Sequence, residues 1–150
     1  MPYRIRAGVP RDAAALHALE RRCFADAWSE ASFREALTSA WSFVLVADAA
    51  DGVLGYLIGR EVGGAGEVLN VAVAPEARRR RIARGLLESG IARFATRGAE
   101  EVFLEVRESN SAAQLLYADF GFRVVGQRAG YYRQPPEDAL IYRLPLGGRV

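Results

Sequence analysis

Residues 66–87, GEVLNVAVAPEARRRRIARGLL, set an apolar run, a proline and four consecutive arginines directly ahead of a second apolar run. The first run suits a buried strand that Pro75 must end, because proline donates no N–H to a ladder. In the second, Ile82, Leu86, Leu87, Ile91 and Phe94 recur at helical spacing, which predicts an amphipathic helix over Arg78 to Arg97. Four guanidinium groups then fall in its first turn, beside unpaired N–H groups and the positive end of the macrodipole. The plain alternative is a solvated charged turn. Cations at a helix N-terminus cost stability unless an anion neutralises them, and that conflict favours an anion site. Arginine fits such a site because its planar fork donates to phosphate oxygens in pairs. A small residue at Ala83 lets an extended ligand approach the backbone.

The rest of the chain alternates between strand and helix periods. YRIRAG (3–8) reads as an opening strand, and Pro10 and Asp12 suit the first turn of a helix. Ala15, Leu16, Leu19, Cys23 and Phe24 recur at helical spacing within 11–24. Ser29 and Ser32 compete to cap a second short helix ending near Thr38. WSFVLVAD (41–48) and VLGYLIGRE (53–61) predict an antiparallel hairpin, and a loose turn at Gly63–Gly66 leads into the strand 66–75. EEVFLEVRE (100–108) is strand-like, SAAQLLYADFGF (111–122) reads as a helix closed at Gly121, and VVGQRAGYY with DALIYRLPL forms a last pair of strands. The order β-α-α-β-β-β-α-β-α-β-β implies an α/β layout with a mixed sheet, in one domain over residues 1–150.

Composition narrows the function classes. Twenty arginines and no lysine against 18 acidic residues leave a net charge of +2, too small to make the whole chain a polyanion binder. One cysteine (Cys23) and one histidine (His17) leave neither a disulfide framework nor a set of zinc ligands, so no metal is expected. The opening MPYRIRAG lacks an apolar signal region, and no stretch approaches about 18 apolar residues. The expectation is a cytoplasmic protein without a membrane partner.

In VFLEVR, Val102, Leu104 and Val106 face one way and Phe103, Glu105 and Arg107 the other. Glu105 interrupts an interior strand, and a buried carboxylate needs a partner or a raised pKa. A structural ion pair with Arg107 or another arginine is one explanation; a proton-accepting role is the other. Tyr117, mid-helix, reads first as an aromatic core residue, and Asn110 as a cap for the helix 111–120.

The segment 73–83 resembles the acetyl-coenzyme A signature V-x-P-x-x-(Q/R)-x-x-G-x-(G/A) of the GCN5-related N-acetyltransferases (GNAT). The resemblance implies a GNAT fold, a mixed six- to seven-stranded sheet flanked by about four helices. It implies acetyl-CoA as cosubstrate, with the strand before the helix splayed from its neighbour by a bulge. Val71, Ala72 and Val73 would pair with the pantetheine arm, and Arg78, Arg79, Arg80, Arg81, Ile82, Ala83 and Arg84 would surround the phosphates. Arg78 stands at the Q/R position and Arg81 at the first glycine. If Arg81 is helical, its φ is negative and glycine is not required there; weaker geometry but intact binding is expected.

L-E-V-R-x-S-N-x-x-A-x-x-L-Y-x-x-x-G-F (104–122), A-W-S-E-x-x-F (27–33) and G-Y-Y-R-x-x-x-E-D-A-L-I (130–141) resemble the RimI branch of that superfamily, with Ala27 where the branch usually has proline. That branch acetylates the N-terminal alanine of ribosomal protein eighteen of the small subunit. The resemblance makes Glu105 the general base, Tyr117 the general acid and Asn110 a cofactor ligand. It places Tyr131, Tyr132, Glu137 and Asp138 on a hairpin that walls the acceptor groove. Two aromatic faces and two carboxylates suit a basic peptide end; tyrosines flanking a core beside a solvated acidic turn are the alternative. Cys23, on a core stripe, is expected to be inert.

Two other functions compete. The same fold and cosubstrate would serve a lysine side chain or a small-molecule amine. An RNA-binding patch at Arg78 to Arg84 is the third; aromatics are not interleaved there and Glu76 and Glu88 flank the run, so no direct nucleic-acid partner is expected.

Overall fold

Ser29 settles the first local ambiguity: its side chain accepts the Ser32 N–H at 3.1 Å, so it, rather than Ser32, caps the second helix. The computed structural model describes residues 2–147, so Met1 and residues 148–150 of the expected 1–150 domain lie outside the described range. Its elements are β1 (Arg4–Ala7), α1 (Ala13–Cys23), α2 (Glu30–Thr38), β2 (Ser42–Ala49), β3 (Gly52–Val62), β4 (Ala65–Val73), α3 (Ile82–Thr96), β5 (Glu101–Arg107), α4 (Ser111–Asp119), β6 (Arg123–Arg133) and β7 (Pro136–Pro145). Their order is the expected one. Pro10 and Pro75 each open a 3-10 turn, consistent with a fixed φ and a missing N–H.

The strands form one seven-stranded sheet in the order β1-β2-β3-β4-β5-β7-β6. Only β4 and β5 run parallel; every other neighbouring pair is antiparallel. The mixed sheet with four described α-helices matches the layout expected from the sequence.

Alternation along β3 shows how the helices cover the two faces. Tyr56 meets Phe33 of α2 edge-on, with ring centroids 5.5 Å apart, while the next residue, Leu57, lies against Gly90 of α3. On the α3 face, Phe94 packs edge-on against Phe43 at 4.9 Å and lies so close to Gly66 that an added Cβ would sit 2.6 Å from its ring. Val102, Leu104 and Val106 of β5 are buried as their alternation predicts. No described helix is long and apolar enough to cross a membrane.

The arginine run departs from expectation. Helix α3 begins at Ile82, so Arg78 to Arg81 form the loop ahead of it rather than its first turn. Arg79 and Arg81 have φ of 67° and 63°, left-handed values that cannot continue a right-handed helix. Arg81 is therefore not helical: it occupies the left-handed N-cap, a conformation that glycine adopts without strain.

Candidate active site

β4 and β5 pair only over Ala65–Val68 and Glu101–Leu104. At the next residue, the β3–β4 register slips by one, leaving Leu69 as a bulge. A bulge bends and twists its strand, and from there on β4 and β5 diverge. The splayed strand that the family resemblance implies is thus present.

Divergence exposes a backbone edge. The Ala74 N–H donates to the Leu54 carbonyl at 2.8 Å, which makes Leu54 and Ala74 a hydrogen-bonded pair of the antiparallel ladder. Alternation then directs the backbone groups of Ala72 toward β3 and those of Val71 and Val73 toward the opening. A cavity of about 600 Å³ fills that opening, walled by β4, β5, the α1–α2 loop and β6.

Glu105 and Tyr117 both border this cavity. The Glu105 carboxylate is mostly covered and forms an ion pair with Arg128, Nε to Oε2 3.0 Å. The ion-pair explanation is therefore realised, with Arg128 as the partner. Arg107 instead binds Glu137 at 3.1 Å and the carbonyl of Pro135 at 2.9 Å, and stacks over the Tyr132 ring at 4.3 Å. Burial and the nearby Glu105 carboxylate raise the Tyr131 phenol. Tyr117 packs against Phe122 with centroids 5.8 Å apart, and burial pushes its phenol up to about 12. It is an aromatic core residue and a cavity residue together.

Asn110 also borders the cavity, while its Oδ1 accepts the Ala113 N–H at 3.1 Å and caps α4. Tyr131 and Tyr132 meet edge-on at 5.0 Å and complete one wall. Burial pushes the Tyr132 phenol up to about 12. Glu137 and Asp138 are not part of that lining. Glu137 accepts from the Ser109 N–H and Arg107, and Asp138 from the Gly130 N–H and Gln127, both at 2.8 Å. Their carboxylates brace the β6–β7 hairpin.

The arginines divide. Arg78 folds back, its Nε donating to the Val73 carbonyl at 3.2 Å. Arg84 reaches Asp119 at 2.9 Å and lies over the Phe120 ring. Arg79 and Arg81 are exposed and Arg80 is half-buried. No side chain caps α3, and the first N–H to close on its backbone is that of Gly85, to the Arg81 carbonyl at 3.0 Å. The N–H groups of Ile82, Ala83 and Arg84 therefore lie ahead of the helical ladder.

Glu20 escaped the sequence reading. It lies four residues after Leu16 and three before Cys23, on the stripe that should be apolar, and that position was its only signal. It is 1% exposed and borders the cavity. Its carboxylate accepts from the Trp28 N–H at 3.0 Å, from Asn70 Nδ2 at 2.7 Å and from the Tyr56 hydroxyl. Cys23 borders the same space, where burial raises its thiol against the opposing pull of Arg78. That leaves little thiolate, in keeping with an inert cysteine. Glu20, Asp26, Glu67 and Glu105 line the cavity with Arg107; Arg60 pairs with Glu67 and Arg128 with Glu105, so Glu20 and Asp26 carry most of what remains to favour a positively charged guest.

Residues 13–122 match the sequence profile of the Acetyltransferase (GNAT) family. A Salmonella typhimurium (strain LT2) protein named ribosomal protein bS18-alanine N-acetyltransferase is 37% identical over 131 residues, covering 85% of this chain and 87% of that protein. The crystal structure of the ribosomal-protein-S18-alanine N-acetyltransferase from Escherichia coli superposes with a TM-score of 0.89 at 30% identity, covering 99% of each chain. Arabidopsis thaliana NAA60, in complex with acetyl-CoA, shares the fold at a TM-score of 0.88 and 18% identity, covering 98% of this chain and 100% of that one.

Proposed function

Since the chain belongs to the Acetyltransferase (GNAT) family, we propose that it transfers acetyl from acetyl-CoA to the N-terminal α-amine of a protein, alanine first among residues. The small-subunit ribosomal protein bS18 is the foremost acceptor, in keeping with the names of the Salmonella and Escherichia relatives. Such an acceptor places the reaction in the cytoplasm. The observation that carries this reading is the convergence of Glu105 and Tyr117 on one cavity where β4 and β5 separate.

The chain offers groups suited to the cosubstrate. The outward backbone of Val71 and the Val73 N–H, with Ala72 between them, match the amides of a pantetheine arm; the Val73 carbonyl is held by Arg78. The free N–H groups of Ile82, Ala83 and Arg84, framed by Arg78 to Arg81, match a pyrophosphate. Asn110, at the start of α4, supplies one more polar contact. Acetyl-CoA, when bound, contributes an activated thioester.

An acceptor arrives as an ammonium, and the carboxylates of the cavity attract it. An α-amine titrates near about 7.7–8, so Glu105 needs only modest basicity to take its proton, directly or through water. The freed amine attacks the thioester carbonyl, where strand N–H groups near Val73 stabilise the developing oxygen charge. Collapse of the adduct breaks the C–S bond; Tyr117, kept protonated by burial, donates to the departing thiolate and regains its proton from the nitrogen that becomes the amide. Tyr131 and Tyr132 flank the acceptor chain, and Glu137 and Asp138 hold those tyrosines in place through the hairpin. An RNA-binding patch fits less well, because Arg78 is engaged by the Val73 carbonyl and Arg84 by Asp119.

A thioester-consumption assay over short peptides varied in their first two residues tests the proposal. Preferential turnover of alanine-started peptides supports it; turnover confined to lysine side chains or polyamines contradicts it.

A further inference from the structure

A fully buried carboxylate is expensive, and a helix stripe facing a core would ordinarily carry leucine or alanine at such a position. Glu20 is 1% exposed, and the proposed base and acid are other residues. Its three partners are neutral donors from three separate elements. The Trp28 N–H belongs to the α1–α2 loop, the Tyr56 hydroxyl to β3, and Asn70 Nδ2 to β4 one residue beyond the bulge at Leu69. An ionised carboxylate accepts from all three; an amide of the same shape has one oxygen and keeps all three contacts only if the Tyr56 hydroxyl and the Asn70 side chain both reverse their roles. Three donors on two oxygens thus fit a carboxylate as they stand.

Trp28 and Asn70 border the cavity on different walls, and Glu20 borders it between them. We propose that Glu20 is a positioning residue for the acceptor: its carboxylate ties the α1–α2 loop to the bulged edge of β4 and so fixes the width of the acceptor cavity. The inference rests on that cavity taking the acceptor amine. The edge offered by Val71 and Val73 and the loop Arg78–Arg81 lie outside this set of hydrogen bonds, so the tie governs the acceptor and leaves acetyl-CoA binding alone.

The experiment compares Glu20→Gln with wild type in steady-state kinetics, varying peptide and acetyl-CoA separately, and follows hydrogen exchange at the Trp28 amide. The expected result is a rise of about tenfold or more in KM for an alanine-started peptide, with KM for acetyl-CoA within about twofold. Faster exchange at Trp28 accompanies it, because that N–H loses its carboxylate. A peptide KM unchanged within about twofold, or an equal rise in both KM values, overturns the proposal. Should Glu20→Gln fail to fold, Tyr56→Phe removes one donor and keeps the carboxylate; the same split at about threefold is then expected, and its absence overturns the proposal equally. Wild-type protein that acetylates no peptide sinks the acetyltransferase reading and this inference together, whereas an active wild type with an unaltered variant sinks this inference alone.

Discussion

The Nε of Arg128 on β6 lies 3.0 Å from Oε2 of Glu105 on β5, and the pair reaches across β7, which separates those strands in the sheet. The guanidinium also sits 5.5 Å from the Tyr131 ring centroid, and the nearby Glu105 carboxylate helps raise the Tyr131 phenol. The proposed base is thus oriented by Arg128, an arrangement that restricts its rotamers.

Arg128 is 58% exposed in its side chain, so the pair adds little to stability. Arg128→Ala is expected to lower the unfolding free energy by no more than about 1 kcal/mol. Turnover should fall by roughly three- to tenfold as the carboxylate loses its orientation. Thermal melts and steady-state kinetics on the same preparation separate the two effects.

Tyr117→Phe removes the proposed proton donor and keeps the ring that packs on Phe122. kcat is expected to drop by roughly 10²–10⁴-fold. In wild type, a phenol pushed up to about 12 remains a donor through alkaline pH, whereas an ordinary tyrosine is half ionised near about pH 10. A pH–rate profile should therefore show no alkaline loss attributable to this residue up to about pH 10.

Arg81 carries a left-handed φ of 63° at a position where the signature has glycine. Relief of that strain by Arg81→Gly outweighs the added freedom of the unfolded chain, for a net gain of roughly 0.5–1 kcal/mol. Arg81→Val should lose roughly 1–2 kcal/mol, because a β-branched residue tolerates that region worst. Denaturant unfolding of the two variants gives opposite signs if the strain is real.

Much of this architecture was legible in the sequence, and the exceptions have physical causes. Continuous apolar runs such as FVLVA (43–47) and the stripe Leu86, Leu87 and Phe94 needed only burial, so strands and helices appeared in the right order. The loop at Arg78–Arg81 did not, because two left-handed arginines follow no local preference and arise from tertiary constraints on the β4–α3 joint. Glu105 was visible because a charge broke an apolar alternation. Glu20 broke one too, but on a helix a single polar residue is easily assigned to the exposed side. Glu137 and Asp138 looked like a groove lining; their use by the Ser109 N–H depends on the turn after β5, and by the Gly130 N–H on the irregular register between Arg128 and Tyr132.

Asp12 supplies an acid-sensitive element. It is 7% exposed, accepts the Val9 N–H at 2.8 Å, and pairs with Arg6, whose hydrogen bonds hold its carboxyl below the usual value. A carboxylate lowered on folding contributes stability above its unfolded pKa, near about 3.9, and loses it as pH falls through the folded value. Asp12→Asn should cost roughly 1–3 kcal/mol at neutral pH, with the difference from wild type narrowing below about pH 4. Denaturant melts at neutral and acidic pH give the two values.

Mass spectrometry of an alanine-started, lysine-containing peptide incubated with acetyl-CoA, with wild type and with Glu105→Gln, addresses the chemistry most directly. Wild type is predicted to place one acetyl group on the α-amine, and Glu105→Gln to slow that product by roughly 10²–10⁴-fold while flattening its rise with pH. Acetyl found on the lysine side chain, or equal rates and pH dependence in the two proteins, would contradict a glutamate-assisted acetylation of the protein N-terminus.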